Sequence, residues 1–362
     1  MKLKKITPFS WFIIITYIVL TVLSFGLNDV YDDTNGERIY LDPVKEVDDG
    51  IDLDKFKTYS VKATEDKRVM FYAGKGTSYR YGPSILRHED GSMDMWVSSP
   101  GNNRTQWDWI RYRHSADGVR WGNEYVVLYP SPGSADQCSV CDPGVIYFNG
   151  YYYLAYTSTH DYGRKGTNNS AFVARSKNPA GPFEKWNGSG WGGNPRPFID
   201  YRDDPSGWGI GEVSFVIKDE QLYIYYTYFG TTGGYTSLAI SNLDENWPLY
   251  LQDKGNVLGR TTQDSIDVVY VEEEDVFLAF SIENRMSDAS RLTMYQSKDG
   301  TIFNKVGHTK SNINPYAHNM GISKDESGHI RLDDDHIVGY AYGPSWGRWS
   351  MVFQHALIRA NQ

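Results

Sequence analysis

The sequence predicts an all-β fold, a five-bladed β-propeller with four-stranded antiparallel blades, on three observations. Composition is the first: 28 Tyr, 15 Phe and 11 Trp among 362 residues favour strands, where aromatic side chains pack across a pleated face. Self-similarity is the second. Strand-like runs begin near Ser84, Gly144, Ser214, Val268 and Gly321, and the differences between those numbers are 60, 70, 54 and 53 residues, a spacing that marks stacked β units. The third is a shared order of turns within the units, which a β-sandwich with long loops, the alternative all-β reading, would not repeat five times.

The first 27 residues stand apart. Lys2, Lys4 and Lys5 precede a nearly uncharged run from Phe9 to Leu27, which reads as an export signal or an uncleaved signal anchor that leaves the remainder outside the cytoplasm. Residues 28–65 are rich in Asp, Gly, Lys and Asn with little periodicity and read as a linker; the propeller domain is expected over 66–362.

In the first unit, Pro83 to Arg87 runs to Asp90-Gly91 and returns as Met93 to Val97, and a third strand, Trp109 to His114, ends before Asp117-Gly118. The second and third units open with matching hairpins. Cys141 to Tyr147 turns at Asn149-Gly150 into Tyr151 to Thr157, and Gly211 to Ile217 turns at Asp219-Glu220 into Leu222 to Thr227. Third strands then end at Ala174-Arg175-Ser176, Ala239-Ile240-Ser241 and Tyr295-Gln296-Ser297. The last unit supplies His336 to Gly343 and Trp349 to Ile358 and stops one strand short, so an N-terminal strand within Val69 to Ala73 is expected to complete it and close the ring.

The innermost strand of each blade lines the central channel, so the residue just before it faces the pocket at one end. There the five units offer Tyr81-Gly82, Asp142, Glu212, Ser265-Ile266-Asp267 and His318-Asn319. Asp142 has a local reading, because Asp-Pro opens strands readily. Glu212, between Gly211 and the Val213 to Ile217 strand, serves no turn. A carboxyl desolvated among aromatics suits a general acid, with Asp142 as the charged partner. Asp267 and Asp264 compete for a third carboxylate. His318, Arg285, Trp208 and Tyr81 are the candidate substrate-binding residues; for Arg285 the local alternative is an ion pair with Glu283. Cys138 and Cys141 read as a small disulfide or plain thiols, and no metal site is expected among candidate ligands.

A net charge of -9 without a basic face excludes nucleic acid as a partner. No cofactor is required; a structural calcium would suit the charge of Asp333-Asp334-Asp335, although the run lacks the spaced ligands of a dedicated loop. The chain is expected to act as a monomer on an oligosaccharide or polysaccharide, touching a membrane only through its N-terminal segment.

Over about residues 68 to 358 the chain resembles the five-bladed propeller glycoside hydrolases, above all family 43 and its relatives acting on arabinose- and xylose-containing glycans. The resemblance is carried by Asp142-Pro143-Gly144-Val145-Ile146 with Gly150-Tyr151-Tyr152-Tyr153-Leu154, and by Gly211-Glu212-Val213 with Leu222-Tyr223-Ile224-Tyr225-Tyr226-Thr227. It implies an inverting hydrolase in which Glu212 is the acid and Asp142 is the base or the carboxylate that tunes the acid. The chain departs from the pattern in the first blade, where Tyr81-Gly82-Pro83 stands in place of the family's base Asp. A glycan-binding propeller without catalysis and a retaining glycosidase or transglycosidase are the alternatives; carboxyl separation distinguishes the two hydrolytic outcomes.

Overall fold

The computed structural model describes residues 57–361 except 75–77, 104–105, 162–165, 231–232 and 260–262. The export segment and residues 28–56 lie outside the described residues. Within the latter no helix is long and apolar enough to cross a membrane.

The fold is a β-propeller of five four-stranded antiparallel blades. Blade one comprises β2 (Tyr81–Arg87), β3 (Met93–Asn103), β4 (Gln106–Ser115) and β5 (Tyr125–Leu128), with β1 (Tyr59–Phe71) preceding it in the chain. Blade two comprises β6 (Cys141–Phe148), β7 (Tyr151–Ser158), β8 (Ser170–Ser176) and β9 (Glu184–Lys185). Blade three runs from β10 (Gly209–Lys218) through β11 (Gln221–Gly230) and β12 (Gly233–Asn242) to β13 (Gln252–Gly259). Blade four follows with β14 (Gln263–Val271), β15 (Val276–Glu283), β16 (Arg291–Ser297) and β17 (Asn304–Thr309). Blade five is β18 (Ala317–Ile322), β19 (His336–Tyr342), β20 (Ser350–Ala360) and, outermost, β1.

Ring closure by the N-terminal strand is therefore observed, but that strand starts at Tyr59, inside the stretch read as linker. Its signal is faint because only Tyr59, Val61 and Ala63 turn inward, alternating with exposed Ser60 and Lys62. The pairing runs from Tyr59 opposite Ala360 to Phe71 opposite Met351, which ties both ends of the domain into one sheet and leaves no open edge between them.

The hairpin turns form as their residues dictate. Asn149 and Gly150 adopt φ of 50° and 77°, and Asp219 and Glu220 adopt 51° and 59°, so both are two-residue loops whose left-handed centres match the strand twist. Apolar faces of neighbouring blades pack against each other. Between blades two and three, fully buried Trp247 meets Tyr153, Phe198 and Phe215 edge-on at 5.2 to 6.1 Å. The two cysteines are buried free thiols, so no disulfide is present; burial pushes the Cys138 thiol up to about 12.

Near the axis the inner strands approach so closely that glycine is required. A Cβ on Gly144 would lie 1.9 Å from the Val213 carbonyl oxygen, and one on Gly321 would lie 1.8 Å from that of Pro83. Backbone cannot yield there as a flexible side chain would. Gly144→Ala is accordingly expected to destabilise the domain by about 2 kcal/mol or more, seen as a lower urea midpoint; an unchanged midpoint would contradict the close packing of β6 and β10.

Candidate active site

Each inner strand carries a β-bulge at its start. The register slips between Tyr81 and Ser84, Cys141 and Gly144, Gly211 and Ser214, Gln263 and Ile266, and His318 and Met320. The bulged residues are left-handed at Gly82 (φ 57°), Asp142 (φ 50°), Glu212 (φ 51°) and Asn319 (φ 40°). This conformation costs a non-glycine residue roughly 1–2 kcal/mol, and it re-aims the side chain. Strain of this kind persists only where surroundings enforce it.

The enforcing contacts repeat from blade to blade. The Asp142 backbone N–H donates to Ser98 Oγ at 2.8 Å, and the Glu212 N–H donates to Thr157 Oγ1 at 2.9 Å. Ser98 and Thr157 hold equivalent places, opposite Tyr81 and Cys141 on the second strands of their blades. A hydroxyl from one blade thus pins the acid-bearing bulge of the next. The hairpin returns Val97-Ser98 and Tyr156-Thr157 are visible in the sequence, but their alignment across blades gives them meaning only once the register is known.

Asp142, Glu212 and Asp267 all line a cavity of about 30 Å³ at the axis, together with Gly82, Asn319 and Lys324; that is room for a water molecule. Of the two candidates for a third carboxylate, Asp267 is among the residues that line this cavity. It lies on β14 opposite Phe280, past the slip between Gln263 and Ile266. Asp267 Oδ1 accepts from Lys324 Nζ at 2.6 Å and Ser214 Oγ at 2.8 Å, and Oδ2 accepts from the Ile322 N–H at 2.9 Å. Lys324 also donates to Ser214 Oγ and the Val268 carbonyl, so the buried cation is fully hydrogen-bonded, as a buried charge must be.

Glu212 is held from blade five. Asn319 Nδ2 donates to Glu212 Oε1 at 3.1 Å, and Asn319 Oδ1 meets His318 Nδ1 at 2.7 Å. His318 is fully buried, with its ring edge-on to Trp349 at 4.3 Å. Its Nδ1 contact places it to orient Asn319. Asn319 itself stands beside His318 in the sequence with no signal separating it from a turn residue.

Tyr81 is likewise a wall residue, buried to 5% exposure between Tyr79 and Trp349. Burial, reinforced by the charges of Asp108, Cys141 and Asp142, holds its phenol far above the ordinary tyrosine range. Asp108, unnoticed in the sequence, accepts from Tyr79 at 2.6 Å and Ser139 at 2.8 Å beneath Asp142's strand, and burial raises its carboxyl pKa. Arg285 lies in the turn after β15 between left-handed Asn284 and Met286. Glu283 pairs with Arg291 and Lys305 at 2.6 and 2.7 Å. Trp208 is half-buried just ahead of β10, and its carbonyl accepts from Asn169 N and Nδ2.

Blade two also carries an open groove of about 700 Å³, whose lining includes Ser158, Thr159, Asn168, Arg196, Asp200 and Arg202. Ser158 in that lining follows Thr157, the residue that pins Glu212, in the chain. Among the described residues no group of three or more His, Cys, Asp or Glu side chains gathers as metal ligands.

No protein-family model matches the chain, and no curated protein sequence does. Among solved structures it is similar to a family 117 glycoside hydrolase from the marine bacterium Zobellia galactanivorans, at 16% identity and TM-score 0.56, over 83% of this chain and 90% of that one. Similar too are an α-L-arabinofuranosidase from Podospora anserina in complex with cellotriose (12%, TM-score 0.53, 83% and 96%) and a family 62 α-L-arabinofuranosidase from Coprinopsis cinerea (12%, TM-score 0.54, 83% and 97%). These structural neighbours are glycoside hydrolases. At such identities the likeness is one of fold, and it does not single out family 43.

The Asn319 geometry has a direct consequence. With Nδ2 turned to Glu212, Oδ1 must accept, so His318 carries its proton on Nδ1. Two-bond ¹⁵N–¹H correlation spectra of the imidazole are expected to show a protonated Nδ1; a ring protonated on Nε2 alone would contradict the arrangement.

Proposed function

We propose that the protein is a glycoside hydrolase acting on an arabinose- or xylose-containing glycan, with Glu212 as general acid and Asp142 as general base in an inverting displacement. One observation carries the reading: two carboxylates sit in equivalent strained bulges of adjacent blades, turned to one axial cavity. A carboxyl pair is the minimum equipment for cleaving a glycosidic bond. The fold shared with glycoside hydrolases supports the reaction class, and the arabinofuranosidases among those neighbours support the sugar class.

The roles follow from the contacts. Asn319 occupies Glu212 Oε1 with an N–H donor, so the transferable proton belongs on Oε2, from which it passes to the leaving oxygen as the glycosidic bond breaks. Asp142 takes a proton from the attacking water. Its carboxyl leans toward the first blade: a Cβ on Gly82 would stand 3.3 Å from Asp142 Oδ1. The side chain absent at Gly82 thus leaves Asp142 the space in which a base from blade one would work. The blade-two groove, at about 700 Å³, has the volume of ordinary ligand sites. The N-terminal segment exports the chain or anchors it outside the cytoplasm, where such glycans occur, and the propeller works as a monomer without a cofactor.

The test is hydrolysis of a panel of arabinan- and xylan-derived oligosaccharides, with the product anomer read by proton NMR. Glu212→Gln is expected to lower kcat by about 10²–10⁴-fold with little change in KM, and the first-formed product is expected to be inverted. Hydrolysis by Glu212→Gln at the parent rate would overturn the assignment, and glycan binding without turnover by the parent would favour a binding propeller.

A further inference from the structure

The loop between β19 and β20 opens on the same end of the propeller as the bulges, because Tyr342 at its start pairs with Ala317 and Ser350 at its end pairs with Tyr342. It is clamped to the entry of blade one: the Ser78 N–H donates to the Gly347 carbonyl and the Arg80 N–H to that of Trp349. Trp346 in this loop is 46% exposed. Its ring is nonetheless fixed, standing at 82° to Trp349 with centroids 4.4 Å apart and tilted against Tyr79 at 6.2 Å.

Trp349 and Tyr79 belong to the buried cluster with Tyr81, Cys141 and Ala341. That cluster walls the site between blades five, one and two: Cys141 precedes Asp142, and Trp349 packs on His318, which orients Asn319 and through it Glu212. Trp346 is therefore the solvent-facing cap of the wall that positions the acid, above the seam where blade one offers only Gly82.

We propose that Trp346 is a stacking platform for one neutral sugar ring of the glycan, a subsite that deepens the glycosidase reading and rests on it. About 100 Å² of its aromatic surface stays in water, and two braces hold it rigid, so binding incurs little ordering cost. The chemistry that fits a flat, uncharged, immobile ring is the apolar C–H face of a pyranose or furanose, whose hydroxyls remain in solvent at the edge. The loop that carries the ring opens on the end of the propeller where Glu212 lies, so a glycan engaging the acid can extend over it.

The experiment is calorimetric titration of the full chain carrying Glu212→Gln, which prevents turnover, with arabino- and xylo-oligosaccharides of two to five units. Adding Trp346→Ala is expected to weaken binding of the longer oligosaccharides about tenfold or more. Trp346→Tyr is expected to restore most of the affinity, and both variants should keep the parent's melting temperature within a few degrees. Equal affinity with and without the Trp346 ring would overturn the platform while leaving the hydrolase reading intact. A Trp346→Ala loss that Trp346→Tyr fails to restore would also overturn it, by pointing to disturbance of the wall. Failure of the Glu212→Gln parent to bind any of these glycans would overturn both readings together.

Discussion

The candidate site depends on one backbone device, the left-handed bulge at the start of the inner strands that carry Gly82, Asp142, Glu212 and Asn319. Without it, the strand's alternation would send Asp142 and Glu212 into the packed faces between blades, where a carboxylate could not remain charged. The bulge adds one residue and turns the side chain toward the axis. Because Asp142 and Glu212 are not glycines, the turn is strained, and the hydroxyls of Ser98 and Thr157 hold it in place by accepting the bulged residues' N–H groups. Each acid is thus fixed by the blade before it, so the closure of the ring bears directly on the site's geometry. The β1 strand, pairing along β20, is what keeps the five blades in that closed arrangement.

Below the acids the channel is filled. Lys324 reaches across to Asp267, Ser214 and Val268, joining blades three, four and five. Towards the opposite end, His88 bridges Asp94 at 2.8 Å and Glu326 at 2.9 Å, and its hydrogen bond to Asp94 raises its pKa to about 9. The end bearing Asp142, Glu212 and Asn319 is also the end on which the loop carrying Trp346 opens.

Much of the fold was legible because it is written in local chemistry. Asn149-Gly150 and Asp219-Glu220 name their own turns, and the acid-headed hairpins repeat at a spacing that only a radial array accommodates. The strand from Tyr59 was not legible, since only three inward residues, Tyr59, Val61 and Ala63, separated by serine and lysine and followed by a charged run, resemble a linker. The site was legible as a set of acids, but the hydroxyls and amide that hold them were not. Asp264 and Asp267 competed for the third carboxylate in the sequence, and Asp267 lines the axial cavity with Asp142 and Glu212. Burial was the other blind spot. His318 and Tyr81 look like polar groups for a ligand, but both are enclosed by Trp349, and their influence on Glu212 and Asp142 passes through neighbours. Trp346 carried no signal that set it apart from the ten other tryptophans until its exposure and its bracing were seen together.

The central claim is that Asp142 and Glu212 act as one unit on one bond, and a double-mutant cycle on kcat tests it most directly. If the two carboxylates serve the same displacement, adding Asp142→Asn to Glu212→Gln should slow the reaction scarcely beyond the slower single variant, because each loss already disables the unit. Losses that multiply fully, as for independent sites, would contradict the account.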